Sequence, residues 1–95
     1  MKETPLQVSI AKAIRSEYGA GVFIFKLHAS AYVPPGIPDL VGCLRGYFFA
    51  IEVKQPGRDL DPVQRARAEQ LRRSGAYVCK ATTPEEALTF LRTLP

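Results

Sequence analysis

The chain has 95 residues, of which 46% are hydrophobic and 23% are charged, and these proportions exclude a disordered or collagen-like protein. A chain of this length assembles one hydrophobic core, so residues 1–95 are predicted to form a single domain. Thirteen lysines and arginines outnumber nine aspartates and glutamates, and the net charge of +4 favours a polyanionic partner such as nucleic acid.

The cysteines, the histidine and the hydropathy exclude several other classes. Cys43 and Cys79 lie in apolar segments typical of strands, where free cysteines are expected to be small buried hydrophobic residues in a reducing compartment. His28 is the only histidine, so the sequence lacks the ligand spacing of a structural zinc site. We find neither a signal peptide nor an apolar run of about 18 residues. We therefore expect a cytoplasmic protein without membrane contacts.

The first third of the chain predicts a helix, a strand and a loop. Apolar residues recur at helical spacing from Glu3 to Tyr18, with Pro5 in the first turn and Gly19 after the last turn. Residues 22–27, VFIFKL, are β-branched and aromatic, which favours a strand. The following segment, HASAYVPPG, predicts a loop stiffened by its prolines.

The middle of the chain predicts a β-hairpin. We predict two antiparallel strands, at residues 37–44 and 47–54, joined by a tight turn at Arg45 and Gly46. The second strand is nearly all apolar until Glu52, which favours a central strand covered on both faces. Its aromatic side chains and one from the next strand are predicted to lie in the core: Tyr47, Phe48, Phe49 and Tyr77.

The sequence contains clear signals for the beginning of a second helix. Asp61 is placed to be its N-cap, Pro62 its first residue and Gln64 the partner that closes a capping box. The helix is expected to end near Ser74, before Gly75. Its arginines either contact phosphates or form an ordinary solvated face: Arg65, Arg67, Arg72 and Arg73.

The last segments complete the predicted order. Residues 76–81 favour a fourth strand, and residues 82–94 favour a helix that begins at Thr83 and Pro84. The resulting order is α-β-β-β-α-β-α, with one hairpin connection and one crossover connection. We therefore predict an α/β fold in which helices flank a mixed central β-sheet.

Three charged side chains in the hairpin predict a catalytic site. Glu52 and Lys54 share one face of their strand because side chains alternate. The tight turn places Asp39 opposite Glu52, so that two carboxylates converge. A divalent ion, Mg²⁺ or Mn²⁺, would relieve their repulsion and use their oxygens as ligands. Lys54 would position or deprotonate a water, or neutralise charge on the transition state, which predicts phosphodiester hydrolysis.

The same residues resemble the PD-(D/E)xK nuclease superfamily through Pro38-Asp39 and Glu52-Val53-Lys54. The segments ETPLQ, GIPDL, IEVK, GRDLDPVQ, SGAYV and PEEAL resemble more narrowly the VRR-NUC family, in its small stand-alone phage or bacterial form. The resemblance covers almost the whole chain and implies a restriction-endonuclease-like core. It also implies a metal-dependent endonuclease in a bacterial or phage-infected cytoplasm, acting as a homodimer on branched or four-way DNA, with no organic cofactor.

The resemblance implies roles for individual residues. Asp39 and Glu52 correspond to the metal-binding carboxylates, the carbonyl of Val53 to a third ligand, and Lys54 to the catalytic lysine. Glu3 corresponds to a glutamate that approaches the metal. Gln64 corresponds to a glutamine after the active-site strand, and Asp61 stands where the family usually has serine or threonine. The residues expected to contact DNA are Gln7, Lys26, Arg58 and Arg65.

Several alternatives stay open on the sequence alone. A capping box accounts fully for Gln64, and a helix-dipole or solvated role accounts for Glu3. The loop that holds His28, Ser30 and Tyr32 is expected to border the substrate groove without supplying a catalytic group. The whole domain is alternatively a DNA-binding module without catalysis, or a structural subunit in which Glu52 and Lys54 form an ion pair.

Overall fold

The computed structural model describes residues 4–95, which form three α-helices and a four-stranded sheet. The order of these elements confirms the predicted α-β-β-β-α-β-α arrangement. The elements are α1 (Pro5–Tyr18), a 3-10 turn (Gly19–Gly21), β1 (Val22–Lys26), β2 (Leu40–Leu44), β3 (Tyr47–Val53), α2 (Pro62–Arg73), β4 (Tyr77–Ala81) and α3 (Pro84–Arg92).

The sheet is mixed, as the sequence predicts. Its strand order is β1-β2-β3-β4, with two antiparallel pairs followed by the parallel pair β3–β4. The β2–β3 register pairs Leu40 with Ile51, which brings Asp39 next to Glu52 at the adjacent step. Arg45 and Gly46 form the turn with φ angles of 52° and 87°, the left-handed pair that a type I′ hairpin requires.

The two faces of the sheet carry separate apolar layers. Helices α1 and α3 pack on one face, where the larger core contains Ile10, Ile24, Phe49, Ile51 and Leu91. Helix α2 packs beside β4 on the other face. The smaller layer there consists of Val41, Ala50, Ala68 and Val78. Glu52 lies on this second face because it alternates with Ile51 along β3.

The two longer helices begin with the same local structure. Thr4 caps α1 and Asp61 caps α2, and in each case a proline occupies the first turn. Gln7 and Gln64 close the two capping boxes by accepting a hydrogen bond from the backbone N–H of the cap residue. The box at Asp61 is confirmed, whereas helix α1 begins at Pro5 and the predicted first residue, Glu3, lies outside the described part of the chain.

Two strand boundaries differ from prediction in a way that matters for the site. Strand β2 begins at Leu40 rather than residue 37 because Pro38 has no N–H to donate to a ladder. Strand β3 ends at Val53. Asp39 and Lys54 therefore flank the strands instead of lying within them, and the charges of both act on the pKa of Glu52.

Two predicted core residues are exposed. Cys43 is exposed and Phe48 is 46% exposed, so their placement in the core is wrong. Both lie on the face that α2 covers, but α2 lies beside β4 and leaves the opposite side of that face open. Cys79 is half-buried, and burial raises the pKa of its thiol to about 12. Within residues 4–95, no helix has the length and apolar character needed to cross a membrane.

Candidate active site

Asp39 and Glu52 meet where β2 begins and β3 ends. The Oδ2 atom of Asp39 accepts a hydrogen bond of 3.0 Å from the backbone N–H of Val53. This bond fixes the carboxylate of Asp39 across the hairpin, beside the residue that precedes Val53. The tight turn at the far end of the hairpin sets the register, so the approach of the two carboxylates follows from the local sequence.

Glu52 is a buried acid with half of its carboxylate unsatisfied. The residue is only 4% exposed. Its Oε2 atom is buried and has no hydrogen-bond partner among residues 4–95. Burial, then the nearby charge of Asp39 and the close approach of its carboxyl group, raise the pKa of Glu52 well above its ordinary value of 4.5, while Lys54 and Lys26 act in the opposite direction. A bound cation would relieve the repulsion between the two neighbouring carboxylates and would give the unsatisfied oxygen a partner.

Lys26 is the side chain that pairs with Asp39. Its Nζ atom lies 3.7 Å from Asp39 Oδ1, and its side chain is only 6% exposed. The structure therefore places Lys26 beside the carboxylates, and its contact with DNA stays a prediction. The sequence alone does not predict this pairing, because the pairing depends on β1 lying beside β2. The signal was the position of Lys26 at the end of β1, which pairs antiparallel with β2.

Lys54 faces a small cavity next to the carboxylates. This cavity has a volume of about 280 Å³, and its walls include Lys54, Gln7, Thr4 and Arg58. Gln7 is 7% exposed and uses Oε1 to close the cap of α1, so its amide nitrogen is the group left for the cavity. Lys54, Gln7 and Arg58 therefore come together at the end of β3, where Glu52 is the next-to-last residue of the strand.

Gln64 joins α2 to the carboxylates. Its Nε2 atom donates a hydrogen bond of 3.3 Å to Glu52 Oε1, while its Oε1 atom accepts from Asp61 in the capping box. A capping role and a role at the active site are therefore compatible for Gln64, because its amide oxygen closes the capping box while its amide nitrogen contacts Glu52. This bond also explains why only Oε2 of Glu52 is unsatisfied.

The arginines of α2 are occupied with contacts inside the protein. Arg65 lies 3.0 Å from Asp59 and donates to the carbonyl of Leu60. Arg67 donates to Pro35, and Arg72 donates to Val78. These bonds fasten α2 to its neighbours. They favour a structural role over the row of phosphate contacts considered from the sequence.

The donor set fits a divalent cation of the magnesium type. Residues 4–95 contain no cluster of three or more histidine, cysteine, aspartate or glutamate side chains, and the site has the two carboxylates of Asp39 and Glu52. Mg²⁺ is usually held by one or two carboxylates and completes its shell with water and substrate phosphate oxygens. The buried Oε2 of Glu52 would supply a hard oxygen ligand for such an ion. The predicted ligand Glu3 lies outside the described residues.

Comparison with known proteins agrees with this fold. No protein-family model matches the sequence, and no curated protein matches it. A solved structure titled "VRR_NUC domain" is similar to this chain, with a TM-score of 0.71 and 26% sequence identity. The alignment covers 90% of this chain and 94% of that one. The protein therefore has the VRR-NUC fold.

Proposed function

We propose that the protein is a metal-dependent endonuclease that hydrolyses DNA phosphodiester bonds, as a homodimer on branched DNA. The observation that carries this proposal is the buried carboxylate of Glu52 beside Asp39, with one oxygen that lacks a partner among residues 4–95. A buried carboxylate oxygen without a partner destabilises an ordinary protein core. In a site for a cation and a phosphate, the same oxygen can bind the cation.

Each side chain has a distinct role in the proposed reaction. Asp39 and Glu52 would hold Mg²⁺ or Mn²⁺, with the carbonyl of Val53 as the proposed third ligand. When bound, the ion supplies positive charge for the phosphate and lowers the pKa of water. Lys54 places an ammonium group beside the phosphate, where negative charge develops. Gln64 orients Glu52 through the 3.3 Å hydrogen bond.

The charge of the protein supports a nucleic-acid substrate. The net charge of +4 attracts the phosphate backbone and makes affinity fall as salt rises. Arg58 and Gln7 line the cavity next to Lys54, so they are the residues we place on the DNA backbone. Arg65 contributes less in this proposal because Asp59 already neutralises it.

An exposed apolar surface supports the homodimer. We call it the phenylalanine patch, and it consists of Phe23, Phe25, Cys43 and Phe48. The register places Cys43 between Phe23 and Phe48, and the three phenylalanines are 67%, 42% and 46% exposed. Their exposed area is roughly 300 Å², comparable to the largest apolar patch on a typical monomer, and such patches are often functional.

A second copy of the chain is the occupant we propose for this patch. The four residues carry no charge, so the patch does not repel its own copy, and an isologous twofold contact requires such self-complementarity. A basic nuclease would not use an uncharged aromatic surface for phosphates. A dimer would have two active sites, one for each of the two strands that must be cut in branched duplex DNA.

The proposal is tested by incubating the protein with labelled linear, flap and four-way DNA in Mg²⁺, Mn²⁺ or EDTA. We expect cutting only with a metal, and loss of cutting in Glu52→Gln and Lys54→Ala. The matched controls are Glu69→Gln and Lys12→Ala, which alter exposed residues on α2 and α1. Thermal denaturation confirms that each variant folds.

The pattern of results separates this proposal from the alternatives. Metal-dependent cutting lost only in the two site variants supports the nuclease, and the substrate cut fastest identifies its target. Tight DNA binding without cutting on any substrate, unchanged by Asp39→Ala and independent of metal, would instead identify a binding module that retains the fold.

A further inference from the structure

A second cavity opens beside the candidate active site. Its volume is about 520 Å³, which is within the usual range of small-ligand sites. Asp39 and Lys26 form one wall, and most of the remaining lining is apolar, including Leu27, Val33 and Ile37. None of the roles assigned above to the catalytic residues requires this space.

The loop that lines the cavity, residues 28–38, is held at its base and at Pro35. The N–H of Leu27 donates a hydrogen bond of 2.8 Å to the carbonyl of Asp39, which closes the base of the loop. Arg67 on α2 donates a bond of 2.8 Å to the carbonyl of Pro35. The cavity is therefore a formed feature of the fold.

Gly36 shows how closely the loop approaches α2. Its φ angle is +81°, and a Cβ atom at this position would lie 2.7 Å from Val63 Cγ1 and 2.8 Å from the Val63 carbonyl oxygen. Only glycine satisfies both the left-handed backbone and the contact with a helix backbone. The sequence thus keeps the loop against α2 and the cavity open beside Asp39.

We propose that this cavity receives one unpaired nucleotide of the DNA, next to the phosphate that lies at Asp39 and Glu52. This inference rests on the proposed nuclease function and specifies its substrate. Asp39 belongs to both the cavity wall and the carboxylate pair, so a strand whose phosphate lies at the carboxylates brings its neighbouring nucleotide to the opening. The apolar walls suit the faces of a base, and the Lys26 ammonium lies in the wall beside Asp39.

The cavity selects unpaired nucleotides because a paired base is held within the duplex stack. Extruding it requires breaking pairing and stacking, and this penalty is smallest for a base that is already unpaired. Flaps, bulges and junction edges present such nucleotides next to duplex DNA. The cavity thereby gives a physical reason for a preference for branched substrates.

Tyr32 extends the same surface at the rim. It is 97% exposed and lies between two residues that line the cavity, Ala31 and Val33. Its backbone N–H donates to the side chain of Ser30, which tightens the turn beneath it. An exposed aromatic ring on an ordered loop is a stacking platform for a base in single-stranded DNA.

The test measures binding with Ca²⁺ in place of Mg²⁺, using a flap DNA with 2-aminopurine as the single unpaired nucleotide. We expect 2-aminopurine fluorescence to change on binding, and affinity to fall about tenfold when that nucleotide is abasic. Ala31→Phe, which narrows the cavity at an exposed position, abolishes both effects. Ala20→Phe, in the turn after α1, leaves both unchanged.

Further variants test the same cavity independently of the direction in which the phenylalanine of Ala31→Phe points. Gly36→Ala displaces the loop from α2 and weakens binding to the unpaired nucleotide, while binding to fully paired DNA stays constant. Tyr32→Ala lowers affinity for the flap, and Tyr32→Phe retains it. Equal affinity for the abasic and 2-aminopurine flaps in the wild-type protein would overturn the proposal.

The outcome is separable from that of the nuclease assay. Metal-dependent cutting together with an unchanged 2-aminopurine signal would reject the cavity and keep the nuclease. A specific 2-aminopurine signal without cutting on any DNA would reject the nuclease and keep the nucleotide site.

Discussion

Gln64 donates a hydrogen bond of 3.3 Å to Glu52 Oε1 with one end of its amide and closes the cap of α2 with the other. The beginning of the helix and the orientation of the buried carboxylate are thus fixed by one side chain. Gln7 closes the cap of α1 in the same way, and its amide nitrogen is left for the cavity at Lys54. Two capped helices therefore present glutamine amides to one end of the sheet.

The two functions of Gln64 are separable by comparing Gln64→Ala with Asp61→Ala. Loss of the Asp61 cap destabilises the protein by about 1 kcal/mol, but it leaves the bond to Glu52. Gln64→Ala removes both the cap contact and the bond to Glu52. We expect only this variant to lower DNA cleavage, by about 10- to 100-fold, because loss of an outer-sphere partner of a metal ligand has effects of this size. Urea denaturation measures the first effect and cleavage rates the second. Equal rates in the two variants would show that Gln64 only caps.

The pairing of Lys26 with Asp39 predicts an energetic coupling that a divalent ion reduces. In EDTA, a double-mutant cycle of Lys26→Met and Asp39→Asn is expected to give a coupling energy of about 0.5–3 kcal/mol. With saturating Mn²⁺ the coupling is smaller, because the ion neutralises Asp39 in place of Lys26. Urea denaturation of the four proteins with and without Mn²⁺ measures this difference. A coupling that Mn²⁺ leaves unchanged would place the ion elsewhere.

The raised pKa of Glu52 makes the metal-free protein less stable as pH rises. The folded state holds a proton on Glu52 at pH values where the unfolded chain, with a pKa of 4.5, has released it. The free energy of unfolding therefore falls between pH 4.5 and the raised pKa, with a slope of up to about 1.4 kcal/mol per pH unit. Urea denaturation in EDTA across this range measures the slope.

Glu52→Gln provides the comparison for this pH dependence. The amide does not titrate, so the slope assigned to Glu52 disappears in this variant. Glu69→Gln, at an exposed position of α2 where glutamate pairs with Arg73, is the control that keeps the slope. A wild-type stability that rises with pH over the same range would contradict the burial of a protonated Glu52.

Local signals account for what the sequence predicts well. The Arg45-Gly46 turn fixes the register that joins Asp39 and Glu52, and the caps fix where α1 and α2 begin. The pairing of Lys26 depends on β1 meeting β2 across a loop, which no local pattern encodes. The exposure of Phe48 depends on how far α2 extends over the sheet, and that is decided by tertiary packing.

The phenylalanine patch predicts a dimer that one charge disrupts. Phe23→Asp places a carboxylate at its most exposed ring, and in an isologous contact two such charges would be buried together. We expect sedimentation of the variant to report a monomer, with little change in thermal stability at low concentration. Val8→Asp, which places the same charge at an exposed position of α1, retains the dimer.

Cys43 gives an independent test of the same contact. It lies between Phe23 and Phe48 in the patch, so a twofold axis through the patch brings the two Cys43 thiols near each other. Mild oxidation is then expected to yield a covalent dimer in Cys79→Ser and none in Cys43→Ser. A wild-type protein that sediments as a monomer at high concentration and forms no crosslink would show that a homodimer does not form through this surface.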